Sequence, residues 1–571
     1  MNDLPNNAAD SGDSDQGATK VTLPIGAADF RLIREFGLYY ADKTKFLYPI
    51  VQVPLPYFLS RPRRFGKSLL LETLESILRG QRELFQGLWI DQSDYHWTPY
   101  PVIRLEMNNV VENDVVTMEE TLSRNLATIA KNEGVENLEK NSPKNMLGDL
   151  IDSLYQDTHQ KVAILIDEYD APIVEYLADP DKANEFRVAL RRFYGILKTN
   201  VKAIGHIFVT GVSRFTQSYI FSELNILRDL TFSSKFAAIC GLTAADLEDL
   251  LSDREGEILA DLIEKGFLPP ESDGHDLRNL IRVWYDGYSW DGETRVYNPW
   301  AILNFFVKAK VSRHWFESGS PSFWRDQGES GLVNFNLELP KSPPKFDLRW
   351  MAIHDIAHMD PAVSLFQTGY LTVKEIQLNP DKGVEEYILG YPNLEVSSIL
   401  APLALSLKPL ENELLAYKLA IRTRDSLLSL DLEGLMEALG GYLSQYPDDD
   451  HIEAEKYYST LFQSALLMSG QWFQTQKHTT HGRLDIHVKG PKCDDYIVEI
   501  KFYNEEKPQN ASLRPPRDAA GKAQLREAME PLAEKALTQI KEKYLANFEG
   551  GDNRVILVAL VIARRNFVLA K

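Results

Sequence analysis

The sequence predicts an α/β protein with a parallel sheet covered by helices in its first 300 residues, a mainly helical middle, and a smaller α/β domain at its C-terminal end. Three stretches predict it. Residues 56–78, PYFLSRPRRFGKSLLLETLESIL, run from an apolar strand through a loop of Arg, Pro and Gly into an amphipathic helix. From residue 161, KVAILIDEYDAPIVEYL places five consecutive apolar residues before paired carboxylates, the look of a parallel strand buried on both faces. From residue 482, GRLDIHVKGPKCDDYIVEIKFY reads as an alternating strand, a turn of Gly, Pro and Lys, and a second strand.

Composition sets the bounds. A chain of 571 residues, 44% hydrophobic and 25% charged, is ordinary for a multidomain globular protein. Cys240 and Cys493 stand far apart, which fits buried thiols in a reducing compartment better than a disulfide scaffold. The first twenty residues lack the apolar core of a signal peptide, and no apolar run reaches the ~18 residues a membrane span needs. The expectation is a cytoplasmic protein with a disordered N-terminal tip (1–21) and no membrane partner. Net charge is −20, yet residues 451–571 hold 18 Lys and Arg against 15 Asp and Glu, leaving 44 against 67 upstream. Any contact with DNA or RNA is therefore expected at the C-terminal end.

Gly66, Lys67 and Ser68 lie where the first loop meets its helix. Backbone N–H groups there carry partial positive charge, Gly lets the chain curl round a phosphate, and Lys and a hydroxyl reach the outer phosphates and a Mg²⁺. The full pattern has Gly where this chain has Arg61. A hundred residues later, Asp167 and Glu168 end the buried strand at the edge where such sheets keep ligands. In ATPases with an extra catalytic strand, such an Asp holds Mg²⁺ and the next Glu orients the attacking water. Alternatively, Asp167 or Asp170 caps the helix that Pro172 would open. A third apolar run, AIGHIFVTGVSRF (203–215), ends in Thr210, Ser213 and Arg214. Thr210 or Ser213 could sense the γ-phosphate and Arg214 could neutralise transition-state charge, or all three could be loop structure.

LPIGAADFRLIREFGLYYADKTKFL, SRPRRFGKSLL, ILIDEYDAPI, GVSRFTQ, WYDGYSW and VYNPWAIL, in that order over residues 22–300, resemble the AAA-ATPase-like domain. In that family RPRRFGKS is the usual phosphate loop. The resemblance implies a nucleotide-binding P-loop NTPase fold with Lys67, Ser68, Asp167 and Glu168 in the family's positions, and with it ATP and Mg²⁺ as the expected cofactors. Arg61, Arg63 and Arg64 become candidates for phosphate or interdomain contacts. Asp42 or Thr44 caps a helix or lies beside the nucleotide. The cluster Trp284, Tyr285, Tyr288, Trp290, Tyr297 and Trp300 stacks on bases or, as is commoner, forms a small core.

Residues 301–450 carry helical periods that Gly440 and Gly441 interrupt, and residues 366–376 with GVEEYILGYPN read as two strands about a turn. This part is expected to connect or couple. Its TGYL and YPN also recur in the family.

In the last segment, side chains alternate along the strand, so Glu499 and Lys501 share a face and Ile500 takes the other, with Asp485 brought near by the hairpin. Carboxylates on adjacent strands suit Mg²⁺, and a neighbouring Lys can hold the attacking water. A solvent-facing Glu and Lys pair is the plainer reading of E-x-K alone. Glu455 lies on the preceding helix and Gln539 on the following one. The helix, hairpin, helix, strand order over 451–563 resembles the PD-(D/E)xK nuclease superfamily, a restriction-endonuclease-like fold. That likeness puts Asp485, Glu499 and Lys501 on the core catalytic positions, with Asp485 and Glu499 as metal ligands. Gln476 stands where this branch usually has Glu. The expected protein has four parts: the tip, an ATPase domain (22–300), a connecting region (301–450) and a nuclease-like domain (451–571). It would join an ATP site to a Mg²⁺-dependent phosphodiesterase acting on nucleic acid, and it could be oligomeric. The alternative is a nucleotide-dependent switch or scaffold whose C-terminal fold only binds.

Overall fold

The structure, a computed structural model, describes residues 21–571 except 137, 139–141, 178, 215–219, 222–226, 318–344, 349–360, 381, 397–412, 447–454, 470, 472, 476, 477, 480, 481, 484, 485, 490–493, 504–515, 517, 545–553 and 564–566. The N-terminal tip up to residue 20 and Cys493 lie outside the described residues. Cys240 is buried.

The N-terminal sheet has five parallel strands: β1 (Pro56–Ser60), β2 (Val102–Glu106), β3 (Val162–Asp167), β4 (Ile204–Gly211) and β5 (Arg228–Asp229), in the order β2-β3-β4-β1-β5. Successive side chains on a strand point to opposite faces. Tyr57, Leu59, Ala163 and Leu165 accordingly enter one core, while Phe58, Ile164 and Ile166 enter another. Both faces are covered, which is why β3 can be apolar at every position before its terminal Asp.

Leading into β1 are α1 (Phe30–Glu35) and α2 (Thr44–Gln52), and α3 (Lys67–Leu78) leaves it. Leu70, Leu71, Leu74, Ile77 and Leu78 of α3 recur at helical spacing and all enter the first core. Each such fully buried side chain contributes ~1.5–3 kcal/mol. The second core is covered by α4 (Val115–Asn132), α5 (Pro143–Thr158) and α6 (Pro180–Tyr194). Asp114 and Asp179 cap α4 and α6 by accepting from Thr117 N and Lys182 N.

Beyond the sheet come α7 (Gly274–Tyr285), α8 (Pro299–Lys308), β6 (Lys345–Phe346), α9 (Pro361–Thr368), and the hairpin of β7 (Thr372–Asn379) and β8 (Val384–Gly390), which pair antiparallel. Phe346, Phe366, Val373, Tyr387 and Val396 join the core that contains α3. The first expected strand begins later than its sequence suggests, because Phe366–Thr368 finish α9. Gly369 then turns the chain at φ +92°, and a Cβ there would lie 2.8 Å from the Pro62 side chain in the phosphate loop.

The C-terminal part opens with α10 (Glu413–Ser429), α11 (Leu432–Leu443) and α12 (Glu455–Met468). Gly440 and Gly441 do not interrupt α11. A Cβ on Gly441 would come within 3.1 Å of Leu419 on α10, so this glycine serves close helix packing. There follow β9 (Phe473–Thr475), the short pair β10 (His478–Thr479) and β11 (Gly482–Arg483), then β12 (Ile486–Lys489), β13 (Asp495–Phe502), α13 (Ala519–Tyr544), β14 (Val555–Ala563) and β15 (Phe567–Ala570). The mixed sheet runs β15-β14-β13-β12-β9. β12 and β13 form the expected antiparallel hairpin, and α13 carries the chain over to β14, parallel to β13. Tyr496, Val498 and Ile500 face the core shared with α10, α11 and α12, while Ile497 packs with Ile540 of α13.

Candidate functional site

Between β1 and α3 the chain takes two left-handed steps, Arg64 at φ +68° and Gly66 at φ +86°, before α3 begins at Lys67. The loop thereby curls so that Lys67, only 4% exposed, donates from Nζ to the Pro62 carbonyl 3.0 Å away. An ammonium held on its own loop carbonyl can exchange that partner for a phosphate oxygen. Beside it opens a cavity of about 420 Å³, lined by Arg63, Arg64, Lys67, Ser68, Asn108 and Glu168 among others.

The sheet order assembles this site. β4 lies between β1 and β3, so its tip meets both the phosphate loop and the paired carboxylates. Thr210 donates to Asp167 Oδ1 at 2.5 Å, and both side chains are buried. Glu168 follows at φ +50°, a conformation that is uncommon outside glycine. Burial raises its carboxyl above the usual range, with Lys67 pulling the other way.

The helix-cap alternative for Asp170 fails. No side-chain cap bond reaches Ala171–Val174. Asp170 instead accepts from Val212 N at 3.2 Å, from Ser213 N at 2.6 Å and from the Ser213 hydroxyl. Of the two polar residues at the tip of β4, Thr210 therefore faces Asp167, and the Ser213 hydroxyl is engaged by Asp170.

Two expected phosphate ligands are not brought to the cavity. Arg61 is fully buried and donates to the carbonyls of Ser60 (2.8 Å), Thr231 (3.0 Å) and Phe236 (3.3 Å), with its guanidinium 3.9 Å over the Trp290 ring. Burial brings its pKa down to about 10, and it binds elements together below the loop. Arg214 is paired with Asp229 and lies over Phe232. Arg64 does line the cavity, stacked 4.4 Å over Trp300.

The aromatic cluster is mostly core. Tyr285, Tyr288, Trp290 and Tyr297 are buried, and Phe65 of the phosphate loop packs edge-on against Tyr288 and Trp290. Trp300 differs by lining the cavity. Asp42 accepts from Thr44 N and its hydroxyl at the start of α2, and also from Trp89 N, so it orders this segment locally. Asn108 escaped the sequence reading. Its position is fixed by β2, whose Glu106 pairs with Asp167 two residues earlier. The available signal was the apolar alternation of PVIRLEM ahead of it.

In the C-terminal sheet, Glu499 of β13 is 2% exposed. Its Oε1 receives the Lys501 ammonium at 2.8 Å and the Gln539 side-chain amide from α13. The three residues, Glu499 and Lys501 from the E-x-K strand and Gln539 from the following helix, thus meet on the α13 side of β13. The buried pair His487 and Asp495, 2.6 Å apart, lies further along the hairpin. Asp485, Gln476 and the Glu455 side chain lie outside the described residues. Among the described residues no group of three or more His, Cys, Asp or Glu could hold a metal. Glu499, and Asp167 at the other site, supply buried carboxylates of the hard-oxygen type Mg²⁺ takes, and Ser68 a half-buried hydroxyl. No helix among the described residues is long and apolar enough to cross a membrane.

Comparison with known proteins agrees with the two domains. Residues 24–221 match the family described as Predicted AAA-ATPase, and residues 453–571 match the PD-(D/E)XK nuclease superfamily. A protein of Azotobacter chroococcum mcd 1, described as "Uncharacterized protein in vnfD 5'region", is 32% identical over 478 residues, covering 82% of this chain and 86% of that one. With the phosphate loop at one sheet edge and Glu499, Lys501 and Gln539 gathered on the other sheet, the chain belongs to the family that joins an AAA-ATPase-like domain to a C-terminal PD-(D/E)XK nuclease superfamily domain.

Proposed function

We propose that this protein binds and hydrolyses ATP in the first domain and thereby gates a Mg²⁺-dependent phosphodiesterase, acting on DNA or RNA, in the last. The observation that carries the ATP half is the insertion of β4 between β1 and β3, which puts Lys67, Thr210, Asp167 and Glu168 at one end of the sheet. Lys67 leaves the Pro62 carbonyl for the outer phosphates, and the N–H groups opening α3 take the inner ones. Ser68 and Asp167 would hold Mg²⁺, which neutralises phosphate charge when bound. Thr210 fixes the Asp167 carboxylate. Glu168, as carboxylate, accepts a proton from and orients the attacking water.

At the second site Asp485 and Glu499 would hold the metal. Lys501 orients water and stabilises the charge that develops on the phosphate, and Gln539 fixes the Glu499 carboxylate. Phe346, Phe366, Val373, Tyr387 and Val396 share the core of the first sheet and α10 and α11 that of the C-terminal sheet, which supports a domain division after Val396. The connecting region would then belong partly to each domain.

The test is cleavage of single- and double-stranded DNA and RNA with Mg²⁺, with and without ATP. Asp485→Ala and Lys501→Ala should abolish cleavage, and cleavage equal to wild type in either would reject the assignment. A second reading, a nucleotide switch with a noncatalytic C-terminal module, is favoured by the uncharged Gln476. It predicts ATP binding that is lost in Lys67→Ala and no cleavage under any condition.

A further inference from the structure

Arg63, Arg64 and Lys67 all line the phosphate cavity, and two of the three are engaged within the protein. Lys67 donates to the Pro62 carbonyl, and Arg64 lies over Trp300. Arg63 is exposed, and among the described residues its guanidinium makes no hydrogen bond or ion pair. Its backbone, by contrast, is fixed. The Arg63 carbonyl accepts from Trp315 Nε1 at 3.2 Å, and the backbone N–H of Trp315 donates at 2.6 Å to Glu395, a fully buried carboxylate. The preceding residue, Pro62, is buried against Gly369, where a Cβ would lie 2.8 Å from the Pro62 side chain. A fixed backbone beneath an uncommitted side chain presents the guanidinium to the cavity without spending it on the protein. Its charge also reaches the far wall: burial raises the Glu168 carboxyl, and Arg63 is among the cations, after Lys67, that oppose the rise. Arg214, the arginine expected to neutralise transition-state charge, is paired with Asp229 instead.

We propose that Arg63 is a further catalytic residue for ATP hydrolysis, an arginine supplied by the phosphate loop itself, whose bonds to the γ-phosphate oxygens strengthen as the phosphoryl group transfers. The inference rests on the ATPase reading of this site and adds the group that answers the developing charge. In the step, the water oxygen bonds to the γ-phosphorus while the bond from that phosphorus to the β–γ bridging oxygen breaks. The electron pair of the broken bond leaves on ADP, one water proton passes to Glu168, and inorganic phosphate is formed; Arg63 gives up no atom. Charge in such a transition state is spread over the three equatorial oxygens. A planar guanidinium can bond two of them at once, which the point charge of Lys67 cannot. An interaction made more strongly in the transition state than in bound ATP raises the rate without tightening ATP binding.

The experiment compares the full chain and Arg63→Ala, with Mg²⁺, in single-turnover ATP hydrolysis, in equilibrium binding of ATP, and in binding of ADP with aluminium fluoride, a mimic of the transferring phosphoryl group. Arg63→Ala is expected to hydrolyse ATP about 10²–10³-fold more slowly, the usual cost of removing one donor to developing charge. Its ATP Kd should stay within about threefold of wild type, which also reports that the loop is folded, while its affinity for ADP with aluminium fluoride falls at least about tenfold. Hydrolysis in Arg63→Ala within about threefold of a measurable wild-type rate would overturn the assignment and leave the ATPase reading standing. ATP affinity lost in proportion to the rate, or unchanged affinity for ADP with aluminium fluoride, would overturn it as well, because Arg63 would then serve the bound ground state or the loop. A wild-type chain that does not hydrolyse ATP would overturn the ATPase reading and this inference with it.

Discussion

Arg61 separates a structural from a ligand role most sharply, and Arg61→Met tests which it has. The substitution keeps the aliphatic stem and removes a fully buried guanidinium that makes three carbonyl bonds and stacks on Trp290. Hydrogen bonds to a charged group are worth ~1.5–3 kcal/mol each, and a desolvated cation–π contact ~2 kcal/mol. Against these stands the cost of burying the cation, seen in its pKa of about 10. Three carbonyls lose partners in the variant, so the net loss is set at about 3 kcal/mol, less than the sum of the bonds. At about 2.1 cal/mol/K of unfolding entropy per residue, a domain of roughly 280–375 residues would have its Tm lowered by about 4–5 °C. The assay pairs thermal unfolding with ATP binding measured well below the lowered Tm. Stability should fall while the ATP Kd changes less than about threefold, since Arg61 does not line the phosphate cavity. Unchanged stability with ATP binding lost tenfold or more would refute the reasoning and restore Arg61 as a phosphate ligand.

Three other outcomes are expected. Thr210→Val removes the bond that fixes Asp167, so kcat for ATP hydrolysis should drop about 10–100-fold with little change in ATP Kd, read by steady-state hydrolysis and equilibrium binding. His206 on β4 is held at about pKa 4 by burial, with Lys161 adding to the effect. Its folded value lies below the ordinary 6.5, so its contribution is present above pH 6.5 and is lost as pH falls toward 4, amounting to about 3 kcal/mol. Denaturant unfolding of His206→Phe should show that loss removed across this window. Gln539→Leu leaves Glu499 without its amide partner, and Mg²⁺-dependent cleavage should fall about 10–100-fold while the Tm of the C-terminal domain changes little.

The parts legible in the sequence were those set by local periodicity. Glu499 and Lys501 share a face because strands alternate, and Gln539 reaches Glu499 from the helix that returns the chain to a parallel strand. Five apolar residues ending in Asp167 and Glu168 announced a strand covered on both sides. What sequence could not supply was the direction taken by side chains within a loop. Arg61 and Arg64 are three residues apart in one Arg-rich turn, yet the first enters the core below and the second the cavity, because left-handed steps at Arg64 and Gly66 redirect the chain. Gly441 read as a helix breaker since its purpose, room for Leu419, lies on another helix. β2 went unread because Arg104 in its middle breaks the apolar run, and tertiary pairing with Glu72 and Glu75 on α3 is what accommodates it.

The central claim is coupling between the two sites, and the direct measurement is the rate of nucleic-acid cleavage with Mg²⁺ as a function of ATP, in wild type and in Lys67→Ala. The account predicts that ATP changes the wild-type rate and leaves that of Lys67→Ala unaltered, while Lys501→Ala abolishes cleavage at every ATP concentration. A wild-type rate that does not respond to ATP, in protein shown to bind it, would contradict the coupling.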